Sequence, residues 1–212
     1  MTVTGFTFNA FSENTYVLQD ETGECVIVDP GCYDKREQEQ LKDFISARNL
    51  KVVLLLNTHC HIDHVLGNQF VIDTYQVPFL IHAADQATLQ SVPVYAPAYG
   101  FPLYQPATPT GLLEPGQDIR FGHTALQVLF TPGHAPGHVV FYHSDSKTLL
   151  GGDVLFQRSI GRTDLPGGDF DTLIRSIQTQ LFTLPDEVTV YPGHGPSTTI
   201  GEEKKSNPFL RA

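Results

Sequence analysis

The stretch Asn57-Thr58-His59-Cys60-His61-Ile62-Asp63-His64 follows an apolar run at 52–56 and places four candidate ligands within six residues. Neutral imidazole and carboxylate oxygen are ordinary donors to a borderline divalent cation. In a locally extended segment the side chains of His59 and His61 project to one side, while those of Asp63 and His64 diverge, a spacing suited to two neighbouring cations. Further candidates are Asp29 in VIVDPG, His134 in TPGHAPGH, Asp153 in LLGGD and His194 in YPGHG. Each stands where a predicted strand ends, which is where a rigid scaffold presents side chains for chemistry. A lone loop histidine is ordinarily structural. A cluster of this density, flanked by Gly133, Gly137, Gly151, Gly152, Gly193 and Gly195, points instead to side chains converging on one point, since glycine permits tight turns and close backbone approach. His82, His123 and His143 read as structural, and His138 as support for the cluster. Cys60 alternates away from His59 and His61 and reads as a packed thiol.

Two cations roughly 3.5–4 Å apart hold a water between them, lower its pKa towards neutrality and polarise a carbonyl for attack. The expected nucleophile is therefore a metal-bound hydroxide, and no Gly-x-Ser-x-Gly elbow offers a serine instead. Asp63 fits either a metal ligand or, with a single cation, a general base. The formal charge of -10 suits a protein that gathers cations and argues against a nucleic-acid partner, whose phosphates need a basic patch. No apolar run approaches the ~20 residues that span a bilayer, and the first residues lack a basic, apolar leader. The expectation is a cytoplasmic location without a membrane partner, in which Cys25, Cys32 and Cys60 stay reduced.

The elements that position these residues follow from apolar periodicity. Segments 3–8, 15–18 and 25–29 are short and β-rich and read as an antiparallel meander. A helix is predicted at 34–48 and a fully buried strand at 51–56. A helix at 65–75, a strand at 77–81 and a short helix at 83–90 come next. Six prolines (93, 97, 102, 106, 109, 115) mark 93–115 as one long irregular loop, either a substrate lid or a surface excursion. Strands return at 125–130, 139–143 and 148–151, then a helix at 170–181 and a strand at 188–191. Two sheets with helices outside them, in a single domain over 1–212, are the expected organisation.

The motif His-x-His-x-Asp-His at 59–64, with His134, Asp153 and His194 following in order, resembles the metallo-β-lactamase superfamily from about residue 15 to 208. The resemblance implies an α+β fold, the αββα four-layer sandwich, with two divalent metal ions, zinc first and iron or manganese as alternatives. It places His59, His61 and His134 on one metal, Asp63, His64 and His194 on the other, and Asp153 between them. Asp29 is similar to the family's DPG aspartate, which orients a ligand histidine. An aspartate at 153, where many β-lactamases of this fold carry cysteine, argues against antibiotic hydrolysis. GDVLFQRSIGRTDLPGGD (152–169) and YPGHGPSTTIGEEKKSNPFL (191–210) look most like the small bacterial branch of glyoxalase II, and the expectation is a chain without the C-terminal helical extension of the classical enzyme. A small-molecule thioester, S-lactoylglutathione, is then the implied substrate, with Arg162 as a contact for the glutathione half. Asp164 departs from classical glyoxalase II, which has an aromatic residue there. The alternatives are a mononuclear-iron persulfide dioxygenase, which shares Gly-Arg-Thr-Asp, and a metal-binding protein without turnover.

Overall fold

The computed structural model describes residues 1–210, which fall into two compact units. The first comprises Met1–Leu113 and Arg120–Thr124. Its sheet has the order β1-β2-β3-β4-β5-β6. Strands β1 (Thr2–Phe8), β2 (Glu13–Gln19) and β3 (Glu24–Val28) form the expected antiparallel meander. Strands β4 (Lys51–Leu56), β5 (Phe79–His82) and β6 (Gly111–Leu113) continue the sheet in parallel. Parallel neighbours need long crossovers, and helices supply them: α1 (Lys35–Ala47), α2 (Ile62–Val65) with α3 (Asn68–Tyr75), and α4 (Gln86–Tyr95).

Helix α1 starts where Asp34 accepts the Glu37 N–H at 2.9 Å while the Glu37 carboxylate reaches back to the Asp34 N–H, a reciprocal capping box. It buries Leu41 and Ile45 in a core with Val17, Ile27, Leu55, Val71 and Phe79. Because β3, β4 and β5 run the same way, their carboxyl ends share one edge of the sheet. Asp29, the His59 segment and Asp85 follow those three ends, the usual position for a site in a parallel sheet.

Two expectations need correction. The helix predicted at 65–75 is two helices, since α2 begins at Ile62 and the chain breaks at Leu66-Gly67 before α3. The segment 93–115 is regular at its ends, where α4 runs through Pro93 to Tyr95, a 3-10 turn covers Ala96–Tyr99 and β6 pairs with β5, and irregular over 100–110 between them. Pro93 removes one helical hydrogen bond without ending the helix, and Pro97 stands in the first turn of the 3-10 segment, where its missing N–H costs little.

The second unit comprises Glu114–Ile119 and the chain from Ala125 onward. The second sheet has the order β14-β13-β10-β9-β8-β7. Its strands are β7 (Asp118–Phe121), β8 (Thr124–Phe130), β9 (Val139–His143), β10 (Thr148–Gly152), β13 (Thr189–Pro192) and β14 (Thr198–Thr199). A small hairpin, β11 (Leu155–Phe156) with β12 (Ser159–Ile160), follows β10. Helix α5 (Phe170–Ser176), extended by a wide turn through Leu181, links β12 to β13, and α6 (Ile200–Ser206) follows β14. Leu173, Ile177 and Leu181 pack with Val140, Leu149 and Val190. No helix among the described residues is long and apolar enough to cross a membrane.

Replacing Asp34 by Ala removes the α1 cap and is expected to lower stability by about 1 kcal/mol. Urea unfolding followed by circular dichroism measures this, and an unchanged midpoint would show that the cap contributes nothing.

Candidate metal centre

In the first unit the predicted site residues meet at the carboxyl end of β4. His59 and His61 have ring centroids 4.7 Å apart, and His59 and His64 4.1 Å. The ligand atoms of Asp29, His59 and His64 lie within 4.8 Å of one another. Asp29 is nonetheless already committed. Its Oδ1 accepts from the Thr58 N–H at 2.7 Å and from Asn57 Nδ2 at 3.1 Å, and its Oδ2 accepts from Thr58 Oγ1 at 2.6 Å. That same Oδ2 lies 3.2 Å from His64 Nδ1. Asp29 therefore fixes the His64 ring and leaves Nε2 to face Asp63 Oδ2 at 3.6 Å. His59 Nδ1 is in turn 3.1 Å from Thr58 Oγ1.

The second unit gathers His134, Asp153 and His194. Asp153 Oδ2 lies 3.5 Å from His134 Nε2 and 3.6 Å from His194 Nε2. These separations exceed hydrogen-bond length and approach the edge of about 3.3 Å between ligand atoms of a tetrahedral cation with bonds of roughly 2.0–2.1 Å. His134 Nδ1 donates to the Arg162 carbonyl at 2.7 Å, which turns its Nε2 toward Asp153. His138 takes the supporting place expected of it: its Nε2 accepts the Asp153 N–H at 3.0 Å and its Nδ1 lies 3.3 Å from Thr131 Oγ1.

The donor types in both units, imidazole and carboxylate, are those that a divalent cation takes. Histidines presenting Nε2 with Nδ1 held by an oxygen, beside a carboxylate, are the usual arrangement for metal-ligating imidazole. The arrangement is also mostly buried, with Asp29, His59, His64, His134 and Asp153 each at least nine-tenths shielded, so charge there acts in a medium of low polarity. Cys60 is a packed thiol as predicted, and burial, followed by the charge of Asp85, pushes its pKa well up.

The Arg162 side chain is not part of either group. Its guanidinium forks onto the Asp164 carboxylate with two bonds of 2.7 Å in an exposed position, and those bonds pull Asp164 down to about 2. To the metal-ligand groups the Gly-Arg-Thr-Asp segment contributes backbone. Gly161 has space for no side chain, since a Cβ there would run into the Asp153 carbonyl and come within 3.2 Å of His134 Nδ1.

Several supporting residues escaped the sequence reading. The buried Asp85 carboxylate accepts the Cys60 N–H at 2.6 Å, fixing the amide between His59 and His61. Glu13 lies fully buried 3.9 Å from His64, and burial raises its pKa well above the ordinary carboxyl value. Glu203 accepts from the Arg158 N–H at 2.9 Å and from Asn207 Nδ2 at 2.8 Å, while Asn207 also donates to the Ser159 carbonyl at 3.0 Å. The Glu203–Asn207 pair thus clamps the β11–β12 hairpin from which Gly161 and Arg162 lead away. Strand alternation predicted none of these, because each is an acid or amide whose partners are distant in sequence.

A family profile described as "Metallo-beta-lactamase superfamily" matches residues 9–194. The chain is 37% identical over 209 residues to the hydroxyacylglutathione hydrolase GloC of Haemophilus influenzae, a match covering 96% of this chain and 95% of the relative. Among solved structures it is similar to BLEG-1, described as a B3 metallo-beta-lactamase, with 36% identity, a TM-score of 0.91 and full coverage of both chains. It is also similar to TTHA1623 in a di-iron-bound form, with 38% identity, a TM-score of 0.88, and coverage of 98% of this chain and 100% of the other.

Gly161→Ala is expected to displace the Asp153 backbone, costing about 1–3 kcal/mol of stability. The accompanying loss in metal affinity is expected to be about 10–100-fold, the range for disturbed ligand support. Chelator competition reads the affinity and urea unfolding of the metal-free protein reads the stability; unchanged affinity would separate this turn from metal binding.

Proposed function

The chain belongs to the metallo-beta-lactamase superfamily, with its metallo-β-lactamase α+β fold, and from that footing we propose that this metallo-hydrolase cleaves thioesters, S-lactoylglutathione foremost. In this reading His59, His61 and His134 would hold one divalent cation and Asp63, His64 and His194 the second, with Asp153 available to both. The observation that carries it is Asp153 Oδ2, which lies 3.5 Å from His134 Nε2 and 3.6 Å from His194 Nε2, within reach of a cation held by either imidazole. Zinc fits these donors first, and the di-iron form of TTHA1623 makes iron the leading alternative. Bound cations supply Lewis acidity toward a carbonyl and an acidified water as nucleophile.

The chain's own residues do the rest. Asp29 keeps His64 in the tautomer that presents Nε2, and the Arg162 carbonyl does the same for His134. His138 holds the Asp153 amide and so fixes where the bridging carboxylate starts. Asp63 serves as a ligand when both cations are present and as a general base when one is absent. A thioester suits such a site because its carbonyl is already activated and its thiolate leaves without protonation by a strong acid. The name of the Haemophilus influenzae relative supports glutathione as the thiol, and Arg162 is the proposed cationic contact for it.

Protein purified without added metal is expected to carry two divalent cations per chain and to hydrolyse S-lactoylglutathione. Chelation should abolish turnover and zinc should restore it, and Asp153→Ala should lower kcat by at least about 10²-fold. A single iron with oxygen uptake on glutathione persulfide would replace this reading with the dioxygenase one, and turnover of a β-lactam alone would replace it with a lactamase.

A further inference from the structure

Beside Asp63 the first unit exposes an aromatic ledge. Phe11, at the tip of the β1–β2 hairpin, is 41% exposed, Tyr99 53% and Leu103 79%. The Phe11 ring lies 6.2 Å from Tyr99 and 5.8 Å from Phe101, and Tyr99 meets Tyr95 edge-on at 5.5 Å. Soluble proteins seldom leave contiguous apolar surface uncovered without a binding role. Two links join this ledge to the proposed ligand Asp63. Asn9 Nδ2 donates to the Asp63 carbonyl at 3.0 Å, while Asn9 Oδ1 accepts the Phe11 N–H at 2.9 Å. The Tyr95 hydroxyl, pushed up to about 12 first by burial, is next most affected by the charge of Asp63.

The ledge is also stiff. Pro93, Pro97 and Pro102 fix φ along it, and the Tyr33 hydroxyl accepts the Leu103 N–H at 3.0 Å. A surface ordered beforehand loses little entropy when a ligand arrives. Its chemistry is one-sided. Residues 1–34 and 52–119 contain no lysine or arginine, and Phe11, Tyr95, Tyr99, Phe101 and Leu103 all come from those stretches. A glutathione group carries two carboxylates and is recognised by cations, which these stretches lack; an apolar or aromatic group finds rings to stack on.

We propose that Phe11, Tyr99 and Leu103 form an acyl subsite that takes the apolar or aromatic acyl group of a thioester whose carbonyl is attacked beside Asp63. This rests on the thioesterase reading and departs from it in one respect: aryl or branched acyl groups are the preferred substrates, and lactoyl is a poorer one.

The test keeps glutathione as the thiol and varies the acyl group from lactoyl to acetyl to phenylacetyl. The wild-type kcat/KM is expected to be about tenfold higher for phenylacetyl than for lactoyl. In Phe11→Ala and Tyr99→Ala that ratio should fall toward one, mainly through KM, with metal content per chain unchanged. Hydrolysis of S-lactoylglutathione with no acyl preference, or a preference that both variants retain, overturns the subsite and leaves the thioesterase reading standing. Calorimetry with the phenacyl thioether of glutathione, which cannot be hydrolysed, separates the two ideas. Binding by wild type that Tyr99→Ala abolishes supports the ledge even if no thioester is turned over, whereas absence of binding overturns it. A wild-type dimer in sedimentation that Tyr99→Ala dissociates would assign the ledge to a second copy of the chain and overturn it too.

Discussion

A carboxylate removed from water must be surrounded by donors, because an unsolvated charge costs several kcal/mol and otherwise takes up a proton. Asp29 meets that requirement with the Thr58 amide, the Thr58 hydroxyl and Asn57 Nδ2, all from the segment just after β4. Its own backbone N–H bonds to the Leu56 carbonyl at 3.0 Å, so the carboxylate cannot move independently of the β3–β4 pairing. The backbone at Asp29 adopts a left-handed conformation with φ of 49°, which aspartate tolerates better than most residues. His64, Asn57 and Thr58 are thus placed by one buried charge, and the register of two parallel strands becomes the position of an imidazole.

The second unit reaches the same end by other means. Its histidines are held by backbone groups: the Arg162 carbonyl orients His134, and the Asp153 amide is fastened to His138. Backbone supports demand close approach, and Gly133 illustrates the constraint. Its φ of 130° and the nearness of the Leu173 backbone leave no space for a side chain, so α5 rests directly on the turn before His134. Asp169 donates its N–H to the Gly133 carbonyl at 2.8 Å and Ser176 donates its hydroxyl to the Pro132 carbonyl at 2.7 Å, securing that contact. A charged hub in one unit and a backbone scaffold in the other present the same kind of atom, an imidazole Nε2 beside a carboxylate oxygen.

Much of this was legible in the sequence because two of its signals are local. Apolar patterning located β1, β3, β4, β8, β9 and β10 to within a few residues, and the density of ligands at 59–64 pointed to the metallo-beta-lactamase superfamily. Residues whose partners are remote were silent. Asp85 looks like any acid at a helix start, and only the fold brings it to Cys60. The proline rule held over 100–110 and misled at 93–99, where α4 runs through Pro93 because its buried face, Leu89 and Val92, is held by the core. Strands β11, β12 and β14, of two residues each, are too short to show a period at all. Arg162 was singled out for its charge, whereas the contribution seen is its carbonyl, an atom that every residue carries.

The clamp on the β11–β12 hairpin has a consequence in time. Arg158 and Glu203 are 45 positions apart, and the ribosome adds roughly 5–20 residues per second, so several seconds separate the synthesis of the hairpin from that of its anchor. During that interval the Arg158 amide and the Ser159 carbonyl lack Glu203 and Asn207 as partners, and the turn carrying the Arg162 carbonyl lacks that brace. The His59 segment and the Asp29 carboxylate that braces it have by then long been made. The residues of the two ligand groups are thus made in sequence, those of the first unit before the brace of the second.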